Sequence, residues 1–262
     1  MIEKSVFPVG LEREAGYVCG QNGTGFLLNF AGYRLVLTDL HCIPEEWKSY
    51  GRNILKKYIE DHIFFGMIPN TPNIWRIPIC NIFYHMDDIG NFLDLLICAV
   101  DEKDVSAVCE QTSLNDILSL ELSNRDVRLE QYYRIYGYPT REFKKNGASY
   151  RSVGHEIQGK LTKRHIIKDD SNNVFDIPSS VYPIEVCEIE IVGNSYGGHG
   201  FSGSPVVDEE NKVVGIIFGC SADFQTFYFF PNNILQAVLS KVVVKLEKNA
   251  GTSSSVSQDS SV

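Results

Sequence analysis

The sequence is short of three things: clustered positive charge, a long apolar run and paired cysteines. Basic residues number 24 against 33 acidic ones, for a net charge of −9, and adjacent basic pairs such as Lys144-Lys145 and Lys163-Arg164 stand alone. Binding to nucleic acid needs a clustered basic face that meets phosphates, so that class of partner is excluded. No apolar run approaches the about 18 residues of a membrane-spanning helix, so no membrane partner is expected. The N-terminal Met1-Ile2-Glu3-Lys4-Ser5 lacks the charged-then-apolar pattern of a signal peptide, and a cytoplasmic location is the expectation.

The 7 cysteines, Cys19, Cys42, Cys80, Cys98, Cys109, Cys187 and Cys220, form no C-x-x-C pair. Most sit among apolar residues, as in Ile79-Cys80 and Ile97-Cys98, which predicts buried, reduced thiols rather than a disulfide framework. No Cys/His spacing of a zinc site recurs, so no metal is expected.

What the chain does hold is a series of short β-rich runs separated by glycine turns. Phe7 to Val18 reads as a strand and turn. Gly23 to Phe30 and Tyr33 to Thr38, joined by Ala31-Gly32, read as a hairpin that delivers Asp39-Leu40-His41-Cys42 at its end. Pro44 to Ile59 has the acids and three-and-four apolar spacing of an inserted helix, broken near Gly51. Strand-like pieces follow at His62 to Phe65, Ile74 to Ile77 and Cys80 to His85, then an apolar strand opened by Asp94. Tyr132 to Pro139, Gly154 to Leu161 and Ile184 to Ile191 are further strands, the last alternating apolar and polar as if one face met water. Thr226 to Phe230 is the final strand, and Pro231-Asn232-Asn233 opens a helix over Ile234 to Lys241. Many strands and few helices predict an all-β sandwich or barrel.

The densest glycine cluster is Gly198-His199-Gly200-Phe201-Ser202-Gly203-Ser204-Pro205. Such an elbow lifts one hydroxyl clear of the backbone and leaves amide N–H groups uncovered for a developing negative charge. It also has the composition of an ordinary turn. His41 alone reads equally as a satisfied polar residue, and Asp94 as a turn cap. Together the three offer a nucleophile, a base and a carboxylate that orients the base.

At this point a resemblance becomes specific. Thr38-Asp39-Leu40-His41-Cys42 resembles the Thr-Ala-Ala-His-Cys segment of the chymotrypsin-like (trypsin-fold) serine peptidases, and Gly23-Thr24-Gly25-Phe26-Leu27 is similar to the strand before it in their bacterial members. Asp94-Leu95-Leu96-Ile97 resembles their Asp-Ile-Ala-Leu strand. Gly200-Phe201-Ser202-Gly203-Ser204-Pro205 resembles Gly-Asn-Ser-Gly-Gly-Pro, and Tyr136-Gly137-Tyr138-Pro139 resembles the start of their second half. The resemblance implies an all-β fold of two six-stranded antiparallel barrels with a C-terminal helix. One barrel would span residues 1–115 and carry His41 and Asp94. A crossover at 116–130 would lead to the second at 131–248, carrying Ser202 and the helix, with a disordered tail at 249–262. It implies a serine endopeptidase acting on polypeptides through catalytic His41, Asp94 and Ser202, an oxyanion hole from the N–H groups of Gly200 and Ser202, and no metal or organic cofactor. Tyr196, His199, Phe218, Gly219 and Cys220 would border the substrate.

The departures from the family pattern are informative. Phe201 stands where many relatives have Asp or Asn, and no Ile-Val-Gly-Gly opens the chain, so activation by an inserted new N-terminus is excluded. Gly23 occupies the position of the disulfide partner of Cys42. Asp39 replaces a small residue beside the base. These departures motivate the alternative of a catalytically silent, protease-shaped peptide-binding or scaffold protein. Asp87 and Asp88 are rivals for the acid. Tyr196 is not an acid, so cleavage after Lys or Arg is not supported and a neutral P1 residue is expected, although Asp223 stands in a nearby loop. A signal-less peptidase is expected to be restrained by narrow specificity or by a regulatory protein partner, in a stress or phage-defence setting.

Overall fold

The computed structural model describes residues 2–14, 17–42, 63–67, 74–76, 81–84, 93–101, 103, 119–140, 144–146, 149–151, 153–168, 183–193 and 198–254. The expected helix over Pro44 to Ile59, the rival acids Asp87 and Asp88, and Tyr196 all lie outside them.

The first half of the chain is one sheet. Its strands are β1 (Val6–Glu14), β2 (Tyr17–Phe30), β3 (Tyr33–Thr38), β4 (Ile63–Met67), β5 (Ile74–Arg76), β6 (Asn81–Tyr84), β7 (Leu96–Val100) and β8 (Leu120–Glu121). They run in the order β5-β4-β1-β2-β3-β7-β6, with β8 added to β2. The hairpin of β2 and β3 pairs Phe26 with Leu37 and Phe30 with Tyr33 around the Ala31-Gly32 turn, as the sequence predicts. The expected closure into a six-stranded barrel is not seen among the described residues. The end strands β5 and β6, of 3 and 4 residues, share no ladder, so the sheet stays open between them. Asp94 also departs from expectation: it lies in a bend before β7 rather than on the strand, where no ladder constrains its backbone.

The second half closes. Strands β9 (Tyr132–Gly137), β12 (His155–Ile167), β13 (Ile184–Ile191), β14 (Pro205–Val207), β15 (Val213–Cys220) and β16 (Thr226–Pro231) form a barrel in the order β12-β13-β16-β15-β14-β9. A small hairpin of β10 (Lys144–Asn146) and β11 (Ser149–Arg151) stands outside it. Inward side chains including Ile135, Ile157, Leu161, Ile189, Val206, Ile217 and Phe229 fill the interior. The alternation read in β13 holds at Glu190, which is exposed, but Glu185 is buried. Its carboxylate is ion-paired with Arg164 and accepts a hydrogen bond from the Asn233 amide at 3.0 Å, so the charge is met within the fold.

A helix, α1 (Asn232–Ser254), follows directly on β16. It extends past Lys248, where the sequence places the start of a disordered tail; Gly251 costs a helix about 1 kcal/mol, which does not halt it. Leu235, Val238, Leu239, Val242 and Leu246 bury one stripe of α1 at the spacing of a single helical face. At its start Asn232 donates to the Ser123 and Arg125 carbonyls at 2.9 Å each, pinning the crossover segment beneath the helix. No helix among the described residues is long and apolar enough to cross a membrane.

One apolar cluster joins the halves: Phe26, Leu28, Leu35 and Leu37 from the open sheet meet Tyr138, Ile216, Phe230 and Leu239 from the closed barrel and α1. The elements that bear the site are therefore fixed to one another by shared core. Leu239→Ala, at the centre of the helix contact, is expected to lower unfolding free energy by about 2–5 kcal/mol with unchanged urea m-value; a loss below about 0.5 kcal/mol in urea denaturation would contradict this account of the core.

Candidate active site

The glycine-rich segment is a tight turn leading into β14. Gly200 and Gly203 have φ of 103° and 82°, in the left-handed region that favours glycine. Space forbids a side chain as well: a Cβ at Gly203 would fall 2.0 Å from the Thr24 carbonyl oxygen, and one at Gly200 would fall 2.4 Å from that of Tyr138. Between them Phe201 turns inward, is buried, and packs on Phe227 with ring centroids 5.5 Å apart. Phe201 is thus an apolar plug in the barrel core that holds the turn. The Ser204 amide donates to the Phe201 carbonyl at 2.9 Å, and reciprocal bonds Gly203 N–H to Ile217 O (2.8 Å) and Ile217 N–H to Ser204 O (2.9 Å) attach the turn to β15. Ser202 is left half-buried at the crest.

Thr24, from β2 of the other half, grips this turn with its backbone N–H and hydroxyl. Its N–H donates to the Ser202 carbonyl at 2.8 Å. Its hydroxyl donates to the Gly200 carbonyl at 2.7 Å and accepts from the Tyr138 N–H at 2.9 Å. Its own carbonyl accepts from the Thr38 hydroxyl at 2.7 Å. Thr24 is fully buried, so these bonds are shielded from water.

His41 sits on a 3₁₀ turn, Leu40–Cys42, directly after β3. The Asp94 carboxylate holds it at two points: Oδ1 accepts from the His41 backbone N–H at 2.9 Å, and Oδ2 lies 2.5 Å from Nδ1. With Nδ1 carrying the proton in that contact, Nε2 of the neutral ring keeps its lone pair and is a base. The side chains are 35% and 15% exposed for His41 and Asp94, an imidazole open to solvent on a carboxylate that is mostly sheltered. The neighbour of His41 reaches the turn, because the Cys42 thiol lies 3.7 Å from the Ser202 carbonyl. His41 and Asp94 thus meet directly, and the backbone of Ser202 is tied to their segment through Cys42.

The two peptides that flank Gly200 are each held at the carbonyl. The His199 carbonyl accepts from the Thr140 N–H at 2.8 Å and the Thr140 hydroxyl at 3.2 Å, and the Gly200 carbonyl accepts from Thr24. In a planar trans peptide the N–H points opposite to the carbonyl, so the Gly200 N–H faces away from Thr140.

Asp39 is the unusual group. It is fully buried, and neither carboxylate oxygen has a hydrogen-bond partner among the described residues. Burial pushes its pKa well above the carboxylate range; the nearby His41 pulls it down, Asp94 pushes it up, and the Gly203 amide, already committed to Ile217, acts least. Burial likewise raises the Cys42 thiol, with Asp39 and Asp94 adding to the effect. A Cβ placed at Gly23 would lie 2.3 Å from Cys42 Sγ, so position 23 does face Cys42, and its glycine leaves the thiol free.

Of the residues expected to border a substrate, His199 is exposed and packs edge-on to Phe224 at 5.0 Å. Phe218, Gly219 and Cys220 are half-buried and follow directly on Ile217, the residue bonded to the turn. Phe218 stacks on Phe230 at 4.3 Å, and Cys220 is a free thiol. Asp223 is occupied locally, accepting from the Ser221 hydroxyl at 2.5 Å and the Gln225 N–H at 3.1 Å, bonds that hold its carboxylate below the usual range. Sequence reading missed Thr24, Thr140 and the depth at which Asp39 is buried; the only signal was the unusual Asp in Thr38-Asp39-Leu40-His41-Cys42.

Residues 23–216 match the model of the trypsin-like peptidase domain. Among solved structures, a serine-to-alanine mutant of Rv3671c from M. tuberculosis H37Rv, in its inactive form, superposes with a TM-score of 0.55 at 16% identity, covering 93% of this chain and 88% of that one. The Rv3671c protease in its active form gives 0.54 at 17% identity, with coverage of 92% and 81%. These likenesses carry the fold. No curated protein matches the chain.

Thr24→Val keeps the side-chain volume but leaves the Gly200 carbonyl and the Tyr138 N–H buried without their partner. It is expected to cost about 1–3 kcal/mol for each group left unpaired, read by urea denaturation. Unchanged stability would show that the hydroxyl does not bind the turn.

Proposed function

The chain belongs to the trypsin-like peptidase domain family, and on that premise we propose that it is a serine endopeptidase with Ser202 as nucleophile, His41 as general base and Asp94 as the carboxylate that orients the base. The observation that carries this reading is the two-point hold of Asp94 on His41, which suits the tautomer a base requires.

In the proposed reaction Ser202 Oγ attacks the carbonyl carbon of the scissile peptide while His41 Nε2 takes its proton. Asp94 stabilises the imidazolium that results. The tetrahedral oxyanion receives hydrogen bonds from the Gly200 and Ser202 N–H groups. The hold of Thr140 on the carbonyl of the His199-Gly200 peptide supports that role for Gly200. Each such donor is worth about 10² to 10³ in rate. Collapse breaks the C–N bond as His41 returns the proton to the leaving amine. Water, deprotonated by His41, then attacks the acyl-enzyme and releases the acid and free Ser202.

With the Asp223 carboxylate held within its own turn, a neutral side chain before the scissile bond is the preferred substrate. Cys42, Cys98 and Cys187, in no disulfide and with glycine facing Cys42, suit a reducing compartment.

A fluorophosphonate probe is expected to label wild type and not Ser202→Ala. Asp94→Asn is expected to slow peptide hydrolysis by about 10⁴ at neutral pH, by analogy with the same change in other triads. A folded wild type that resists the probe, with a circular dichroism spectrum matching Ser202→Ala, would overturn the reading.

A further inference from the structure

The proposed reaction uses His41 but has no use for Asp39 or Cys42, which stand two residues before and one after it in the chain. One ligand atom from each of Asp39, His41 and Cys42 lies within 4.8 Å of the others. Carboxylate, imidazole and thiolate are a zinc-type donor set, and three protein ligands leave a fourth position for water. Their spacing escapes a sequence search because the 3₁₀ turn, Leu40–Cys42, folds neighbouring residues onto one side instead of bringing distant pairs together.

A second observation points to a cation. Asp39 is 0% exposed with both carboxylate oxygens unpartnered among the described residues, an arrangement that is costly with nothing to receive them. The charged groups acting on it are His41 and Asp94, and those acting on Cys42 are Asp39 and Asp94. The pocket of donors is thus bordered by carboxylates, with no lysine or arginine among those groups. His41, 35% exposed, is the ligand open to solvent and the side from which an ion enters.

We propose that Asp39, His41 and Cys42 form an inhibitory site for a divalent zinc-type cation, in which metal binding and peptide hydrolysis exclude one another. A neutral imidazole has one nitrogen lone pair. If the metal takes it, His41 has none with which to accept the Ser202 proton, whichever ring nitrogen is the ligand. Binding takes the Cys42 side chain as its thiolate, so the thiol proton leaves as the ion enters. The soft thiolate discriminates against Mg²⁺ and Ca²⁺. The inhibitory half of the proposal rests on the peptidase reading; the binding half does not.

The test uses the chelator-treated full chain titrated with Co²⁺ and then Zn²⁺. The expected result is one Co²⁺ per chain with thiolate-to-cobalt charge-transfer absorption, displacement by Zn²⁺, and fluorophosphonate labelling that falls in step with occupancy. Losing an outer partner of a metal ligand costs about 10–100-fold in affinity, so Cys42→Ser and Asp39→Asn should each weaken binding at least about tenfold. Ser202→Ala should bind Co²⁺ as wild type does. Circular dichroism checks that each variant is folded, and two separate ligand variants keep the test open if one is not. Binding without the charge-transfer band, or with affinity unchanged in both variants, overturns the site. Full Zn²⁺ occupancy with undiminished labelling overturns the inhibition. A metal-free wild type that resists the probe yet binds Co²⁺ with the band overturns the peptidase reading and leaves the site standing.

Discussion

The geometry of the site depends on Thr24. One fully buried residue on β2 bonds the Ser202 carbonyl through its N–H, the Gly200 carbonyl and Tyr138 N–H through its hydroxyl, and the Thr38 hydroxyl through its carbonyl. It therefore joins the strand that leads to His41 with the turn that carries Ser202. These are bonds of ordinary strength, about 0.5–1.5 kcal/mol net each. What makes them decisive is that one residue makes all four, and the glycine at 203 leaves the space that the Thr24 carbonyl fills.

The turn itself is completed by packing. A charged residue at position 201 would need a counter-charge there. Phe201 needs only apolar surroundings, which Phe227 and the barrel core provide from the moment the fold forms. A turn assembled by packing alone is formed whenever the chain is folded. A buried carboxylate and thiol, Asp39 and Cys42, flank His41 beside it.

His41, Asp94, Ser202 and the two glycines of the turn were legible in the sequence because their neighbours belong to short motifs with fixed local geometry. Phe201 was legible as a departure from the family, though not as a plug. Thr24 was read only as part of a strand, since its partners lie 114 and 176 residues away and no spacing reveals them. Glu185 was read as facing water by alternation, and the Arg164 and Asn233 partners that bring it inside come from other elements. The first barrel was expected on resemblance; the short β5 and β6 do not close it among the described residues. The helix boundary failed because composition marks where polar residues begin, whereas α1 continues as far as its backbone bonds carry it.

The central claim is that Thr140, on the His199-Gly200 peptide, and Thr24, on the carbonyl of the next peptide, keep the Gly200 N–H ready for a negative charge beside Ser202. A crystal structure of the chain after reaction with a fluorophosphonate tests it most directly. The account predicts phosphorus bonded to Ser202 Oγ, with the phosphoryl oxygen within hydrogen-bond distance of the Gly200 and Ser202 N–H groups and both threonine contacts intact. A phosphoryl oxygen pointing away from those N–H groups, or a Gly200 carbonyl released from Thr24, would contradict it.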